Sequence, residues 1–177
     1  EKMKKTCSVH LDVNTHFVFP LIALILFYSC DANKKLNEAL TRPNDFSELD
    51  LSYGQLTELN PDIEKFEKLT RLTLFKNKLT FLPPEIGHLP FLKELILSSN
   101  YLDSIPSEIG NLSHLKKLSA KNNRLKTLPA SIGQLNALET LDLEHNSLQS
   151  LPDEIGNLKN LTFLSVKDNL LTKINPA

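Results

Sequence analysis

From residue 46 to the last residue, apolar side chains recur in one arrangement with a period of 23 residues. If each unit is counted from its first apolar residue, positions 1, 4, 6, 11, 14, 18 and 21 are apolar in nearly every copy. Five full copies and one partial copy follow each other, at 46–68, 69–91, 92–114, 115–137, 138–160 and 161–177. A fixed period of this length predicts stacked repeats that share one continuous core.

Within each unit, apolar and polar residues alternate around positions 3 to 7. This period of two predicts a short strand whose even positions point inward, and stacked strands would form one parallel sheet. Position 9, just after the strand, is asparagine in five copies. A buried carboxamide can satisfy both donors and acceptors of the turn backbone, which leucine cannot do. We therefore predict a structural asparagine ladder, made of Asn77, Asn100, Asn123, Asn146 and Asn169.

The second half of each unit predicts a return segment that stays outside the sheet. A proline follows the apolar residue at position 14, and it lacks the N–H that a strand would donate. An Ile-Gly step comes next, and we expect its glycine to permit a tight turn back towards the sheet. The segments are predicted to be short turns or 3₁₀ helices on the convex side. The prolines are Pro83, Pro106, Pro129 and Pro152, and the glycines are Gly87, Gly110, Gly133 and Gly156.

Residues 31–45 precede the repeats and predict a tether followed by a short capping helix. Asn33 is the expected N-cap, Leu36, Ala39 and Leu40 form one apolar stripe, and Pro43 would end the helix. The end of a stack of repeats exposes a slice of core, so an amphipathic helix here is expected to cover it.

The repeated L-x-x-L-x-L-x-x-N-x-L, followed by L-P-x-x-I-G-x-L, resembles the 23-residue class of leucine-rich repeats. The resemblance covers residues 46–177. It implies an α/β fold, namely a right-handed solenoid with the parallel sheet on its concave face. It also implies that the concave face binds a protein.

Residues 1–30 have the layout of a secretory leader. Lys4 and Lys5 precede a polar stretch and then an apolar run at 17–28, which is too short to cross a membrane as a helix. Ser29 and Cys30 follow, and the ending resembles a bacterial lipobox. The resemblance implies cleavage before Cys30, attachment of lipid to that residue, and a location in the bacterial cell envelope. A plain signal peptide and an uncleaved signal anchor are the alternatives.

Composition and charge give little support to other classes of function. The formal net charge is −1, so no excess of basic residues calls for nucleic acid, and two cysteines cannot form a disulfide framework. His88, His114 and His145 occupy different repeat positions, which argues against a metal site or a catalytic base. Asp142 and Glu144 share a face with neighbouring lysines and read as a row of charges. We therefore predict a protein that is not an enzyme and has no cofactor.

The outward strand positions 3, 5 and 7, with position 8 at the rim, are where a ligand would bind. Phe75 and Ile96, with Tyr53 beside them, are expected to form an apolar patch ringed by charges, as in many protein interfaces. A basic stripe from the fourth strand would lie beside an acidic stripe from the fifth. The candidate ligand-binding residues are Tyr53, Arg71, Phe75, Ile96, Lys117, Lys121, Asp142, Glu144 and Phe163.

Three functional hypotheses follow from the sequence. The first is an envelope-anchored lipoprotein that binds a protein ligand, for adhesion or for interaction with host or envelope proteins. The second is a cytosolic scaffold that binds a small GTPase or a signalling protein, and the third is a set of repeats that targets an attached catalytic domain. Val166, Leu171 and Ile174 have no repeat after them. We therefore expect a truncated end, or one that self-associates.

Overall fold

Six short parallel strands form one sheet in the computed structural model, which describes residues 32–172. The strands lie side by side in chain order, and each is separated from the next by one repeat. Their central leucines pair in register, from Leu49 with Leu72 to Leu141 with Leu164. The strands are β1 (Glu48–Asp50), β2 (Arg71–Thr73), β3 (Glu94–Ile96), β4 (Lys117–Ser119), β5 (Thr140–Asp142) and β6 (Phe163–Ser165).

The core lies directly beneath this sheet and runs the length of the stack. Leu72, Leu95, Leu118 and Leu141, all at position 4, are fully buried. Position 6 is buried in the same way, and Ala120, which is smaller than its counterparts, is also fully buried. Leu49 and Leu51 of the first repeat are buried too, so the inward assignment of the even positions is confirmed for the first to fifth strands.

Short 3₁₀ helices cross the side of the molecule opposite the sheet. The proline that precedes each of the last four has an extended backbone, with ψ between 145° and 151°. The predicted fold class is therefore confirmed. The 3₁₀ helices are η1 (Pro43–Asp45), η2 (Pro61–Lys65), η3 (Pro84–His88), η4 (Ser107–Asn111), η5 (Ala130–Gln134) and η6 (Asp153–Asn157).

The glycines of the 3₁₀ helices have a different role from the one expected of them. No described glycine has a positive φ, so the turn itself does not require glycine. A Cβ atom added to Gly87 would instead lie 2.2 Å from the carbonyl oxygen of Glu108 in the next repeat. Gly110 and Gly133 stand in the same relation to Ser131 and Glu154. The glycines are needed because successive 3₁₀ helices pack against each other without room for a side chain.

Gly110→Ala should lower the free energy of unfolding by about 1–3 kcal/mol, the usual cost of overpacking. Its Cβ would lie 2.6 Å from the carbonyl oxygen of Ser131, so the two 3₁₀ helices would have to separate. Gly156→Ala is the matched control, because Gly156 holds the same repeat position but is exposed. Urea denaturation of both variants tests this, and equal stabilities would contradict the packing argument.

Helix α1 (Ala32–Ala39) covers the first repeat. It begins at Ala32, so Asn33 lies inside the helix and the N-cap expected there is wrong. The reason is packing, since Ala32 is buried and a Cβ atom added to Gly54 would lie 1.9 Å from the Cβ atom of Ala32. Lys35, Leu36 and Ala39 complete the buried face. Within residues 32–172, no helix is long and apolar enough to span a membrane.

The inward asparagines join consecutive repeats through the backbone. Asn100 accepts a hydrogen bond from the N–H of Leu79, at 3.1 Å, and donates to the carbonyl oxygens of Leu74 and Leu97. Asn77, Asn123, Asn146 and Asn169 repeat this pattern one repeat apart. Position 9 of the first repeat is Gly54, whose N–H donates to Asn77. The neighbouring repeat thus fixes the turn that Gly54 itself cannot fix.

The last strand departs from the burial pattern of the others. Leu164 holds the inward position 4 but is 40% exposed, because no further repeat packs on it within the described residues. Val166 and Leu171 are partly buried. The predicted leader with Cys30 lies outside the described residues, and so does Ile174 near the other end. The proposed boundary between residues 30 and 31 and the last residues of the repeats also lie outside them.

Candidate functional site

A recess of about 600 Å³ lies on the outward face of the sheet, across β2 to β6. We call the outward face the concave face and this hollow the concave recess. Its wall contains nine side chains from outward positions 3, 5 and 7, and three rim residues from position 8. The main lining residues are Phe75, Lys76, Ile96, Ser98, Lys117, Ser119, Lys121, Thr140, Asp142 and Phe163.

Apolar groups stand at both ends of the concave recess. Phe75 and Ile96, on adjacent strands, form the predicted patch at the first end. Tyr53 packs edge-on against Phe75, with ring centroids 5.4 Å apart, and the ammonium of Lys76 lies 5.3 Å from each ring. Phe163, which is 52% exposed, stands at the other end. The structure therefore places Tyr53, Phe75 and Ile96 together, and Phe163 apart from them.

Arg71 is already engaged by its neighbours on the concave face. Its guanidinium lies 2.9 Å from Glu94 on β3 and 3.6 Å from Glu48 on β1. The hydrogen bond to Glu94 raises the pKa of Arg71 above its ordinary value, so the group stays charged. Because both adjacent strands supply a carboxylate, the guanidinium of Arg71 is already paired and is a poor candidate to bind an acidic group of a ligand. Arg71 also does not line the concave recess.

Lys121 and Glu144 form an ion pair between β4 and β5, so the expected basic and acidic stripes are joined to each other at this row. The hydrogen bond from Lys121 lowers the pKa of Glu144, and the same bond raises the pKa of Lys121. Because the pKa of Glu144 is lowered by folding, its contribution to stability is present above the unfolded pKa and is lost as pH falls through the folded pKa. Because the pKa of Lys121 is raised by folding, its contribution is present below the unfolded pKa and is lost as pH rises through the folded pKa. The pair is therefore intact across the neutral range.

Lys117 differs from the other cations of the concave recess. No carboxylate of residues 32–172 makes an ion pair with it, because Glu94 on one side is bound to Arg71 and Thr140 stands on the other. Its side chain is exposed within the recess. Asp142, one strand further along, lines the same hollow and accepts a hydrogen bond from the backbone N–H of Glu144. The recess thus presents a cation and an anion about one strand apart.

Glu144, His145 and Asp168 form the closest group of potential metal ligands in the described chain, with ligand atoms within 4.8 Å of one another. Lys121 and Lys167 lie within 4.0 Å of Glu144, and Lys167 also lies 3.9 Å from Asp168. The carboxylates are thus neutralised by lysines, and this geometry fits an ion-pair network. His88 pairs with Glu64 elsewhere, and His114 stacks beside Phe91, so the three histidines lie in separate places.

Ser98 and Ser119 are two members of the site that the sequence did not single out; Lys76, Ser99, Asn122 and Thr140 are the others. Ser98 and Ser119 are both 93% buried by the strands around them, and their hydroxyl oxygens lie 2.8 Å apart. They form the floor of the concave recess, whose depth follows from their small size. The sequence did contain a signal for this hollow, since two adjacent repeats have a small serine at an outward position and larger residues at the outward positions around it.

Family models match two parts of the repeat region. Residues 107–175 match a leucine-rich repeat region, and residues 91–112 match a leucine-rich repeat. Together with the parallel sheet, the asparagine ladder and the 3₁₀ helices, these matches decide the family. The chain is a leucine-rich repeat protein. Its leucine-rich repeats begin at β1, earlier than either match.

Solved leucine-rich repeat structures resemble this chain over most of its length. A leucine-rich repeat protein of Leptospira interrogans is 42% identical with a TM-score of 0.73, over 78% of this chain and 34% of that one. The ectodomain of the Arabidopsis thaliana receptor kinase GASSHO1/SCHENGEN3, in complex with CASPARIAN STRIP INTEGRITY FACTOR 2, is 32% identical with a TM-score of 0.66, over 74% and 16%.

The plant peptide hormone receptor RGFR1, in complex with RGF2, is 40% identical with a TM-score of 0.67, over 72% of this chain and 22% of that one. The chain thus spans about a third or less of each of these three leucine-rich repeat structures. Among curated proteins, none matches the sequence. The leucine-rich repeat fold is typical of protein–protein interaction modules.

Proposed function

We propose that this chain is a non-catalytic binding module that holds a protein ligand in the concave recess. The observation that carries the proposal is the recess itself, in which apolar groups at both ends enclose a polar floor and Lys117, which forms no ion pair with a residue of 32–172. Exposed aromatic residues ringed by charge are typical of the energetic centres of protein interfaces. Two similar plant receptors were solved in complex with RGF2 and with CASPARIAN STRIP INTEGRITY FACTOR 2, which supports a ligand of peptide or protein nature here.

The second part of the proposal concerns location. The module is displayed at a bacterial cell envelope through lipid on Cys30, so that the concave recess faces adhesion partners, host proteins or other envelope proteins. This rests on the order of lysines, apolar run, small residue and cysteine in residues 3–30. Two or more acyl chains would anchor the protein stably, since each buried methylene contributes about 0.8 kcal/mol.

Phe75→Ala should weaken ligand binding at least tenfold without unfolding the repeats. Phe75 is half-buried and contacts Tyr53 and Lys76, whereas a bound ligand would cover the rest of the ring. A photoreactive amino acid at Ile96 captures the ligand in expressing cells, and purified ligand then gives dissociation constants for each variant.

Glu108→Ala is the control for this measurement, because Glu108 is half-buried on η4, opposite the concave face. Equal loss of affinity in the two variants would count against the concave recess as the binding surface. Capture from a photoreactive residue at position 108 but not at position 96 would count against it in the same way.

Cys30→Ala should release the protein from the membrane and abolish its lipid modification. Intact mass and membrane fractionation, in a bacterium with lipoprotein maturation, are the measurements. The parent is expected to begin at Cys30 with diacylglyceryl and acyl mass added. An unmodified soluble parent that retains its leader would overturn envelope anchoring and favour the cytosolic scaffold instead.

A further inference from the structure

Most cations of the concave face are neutralised by neighbouring side chains, and Lys117 is the exception within the described residues. Arg71 is held by two glutamates near β1, and Lys121 and Lys167 share Glu144 towards β6. Lys76 lies over two aromatic rings. Lys117 has neither kind of partner among residues 32–172, although its alkyl chain lines the concave recess. A ligand that fills the recess must therefore satisfy this ammonium or leave it covered and unpaired, which is costly.

The dimensions of the concave recess favour an extended peptide. Phe75, just after β2, and Phe163 on β6 are four strands apart and four repeat positions apart. With about 4.8 Å between strands and about 3.3 Å per residue along them, the aromatic ends are separated diagonally by about 23 Å. An extended chain advances about 3.3 Å per residue, so roughly six or seven residues span the distance. Ser98 and Ser119 keep the floor low between these ends. A single strand of peptide can therefore lie across the sheet.

We propose that the concave recess recognises an extended peptide segment with an acidic side chain in its middle and an apolar side chain on the side nearer β2. The carboxylate binds Lys117, and the apolar side chain lies against Phe75 and Ile96. Asp142, one strand beyond Lys117, accepts hydrogen bonds from donor groups of the same segment and disfavours a second acid at that point. This inference rests on the proposed function and names the chemistry of the ligand.

The test is selection of a displayed random seven-residue peptide library on the purified chain, on Lys117→Glu and on Lys126→Glu. Lys126 belongs to the same repeat and is exposed, but lies outside the concave recess, so its variant carries an equal change of charge. The parent and Lys126→Glu should enrich peptides with an acidic residue two or three positions from an apolar one. Lys117→Glu should lose that acid and favour a basic residue in its place.

Enriched peptides are then synthesised with both ends blocked, so that any required carboxylate belongs to a side chain. Replacement of the acid by its amide should weaken binding to the parent about fivefold, and should change binding to Lys117→Glu much less. Enriched peptides that lack an acid, or whose affinity is the same for Lys117→Glu as for the parent, would overturn the inference. Circular dichroism melts of each variant verify that folding is unchanged.

Failure of this inference differs from failure of the proposed function. If the enriched peptides depend on Phe75 but not on Lys117, the concave recess binds protein segments while the acidic requirement is wrong. If they depend on neither residue, or if no peptide is enriched, both the peptide specificity and its placement in the recess are overturned. The proposed function is then decided separately, by the affinity of the ligand captured in cells for the parent and for Phe75→Ala.

Discussion

Leu118→Asp should unfold the repeats, or lower the free energy of unfolding by at least about 5 kcal/mol. Leu118 is fully buried at the centre of β4 and pairs in register with Leu95 and Leu141. Removal of a buried leucine side chain costs about 2–5 kcal/mol. An aspartate in its place adds the cost of burying a polar group that has no partner in the apolar core, which amounts to several kcal/mol more.

The position of Leu118 in the stack increases this effect. Each repeat is stabilised mainly by its two neighbours, so a defect in the fourth repeat weakens the interfaces on both sides. Small domains are stable by about 5–15 kcal/mol, and the loss is therefore a large part of the total. Circular dichroism melts and urea denaturation are the measurements, and the expected result is loss of the cooperative transition near room temperature.

Two variants separate burial from the introduction of charge. Lys117→Asp adds a carboxylate at the adjacent outward position, where exposed substitutions usually change stability by less than about 0.5 kcal/mol. Leu164→Asp changes the same repeat position in β6, where the leucine is 40% exposed. Leu164→Asp should therefore be destabilised much less than Leu118→Asp. Similar melting of Leu118→Asp and Lys117→Asp would show that position 4 does not point into the core.

The sequence predicted the repeat architecture well because one period fixes many positions at once. Leu72, Leu95 and Leu118 occupy equivalent positions, so a single assignment of position 4 to the core applies to all three. The same repetition explains the ladder, since Asn77 and Asn100 make equivalent hydrogen bonds one repeat apart. Features that the repeating pattern itself determines could therefore be predicted from the sequence.

Features that depend on contacts between repeats, or on the ends, were less accessible. The expectation that Gly87 is needed for a tight turn was wrong, because the sequence does not show how closely the next 3₁₀ helix approaches it. The start of α1 was wrong because Ala32 packs on Gly54, a contact that capping rules do not include. The backbone of Lys76 was also missed: this residue and its equivalents at position 8 have positive φ values without being glycine.

The candidate site could be predicted only as a set of outward positions. The repeat placed Phe75 and Ile96 side by side, and the structure agrees. It did not show which charges pair. Glu94 has a cation on each side, Arg71 and Lys117, and only the structure shows that it pairs with Arg71.

Asn100→Leu is expected to lower the free energy of unfolding by about 2–4 kcal/mol, although leucine fits the size of the site. Asn100 is 4% exposed, and its removal leaves the N–H of Leu79 without its side-chain acceptor. The carbonyl oxygens of Leu74 and Leu97 each lose one of two asparagine donors and keep the other, from Asn77 and Asn123. A buried donor without a hydrogen bond costs about 1–3 kcal/mol, and each further hydrogen bond that is lost adds about 0.5–1.5 kcal/mol, with incomplete additivity. Asn111→Leu is the control, because Asn111 is exposed on η4 and should change stability little.

Asn100→Asp gives a second test of the ladder, through its pH dependence. An aspartate at this site can accept from Leu79, but its carboxylate would face two carbonyl oxygens, to which only the protonated acid can donate. Burial and these carbonyl groups should raise its folded pKa above the unfolded value of about 3.9. A raised folded pKa gives stability that is present below the unfolded value and is lost as pH rises through the folded value. Relative to the parent, Asn100→Asp should therefore become less stable between about pH 4 and pH 7, whereas Asn111→Asp should not. Parallel curves for the two aspartate variants would contradict a donating, buried carboxamide at position 9.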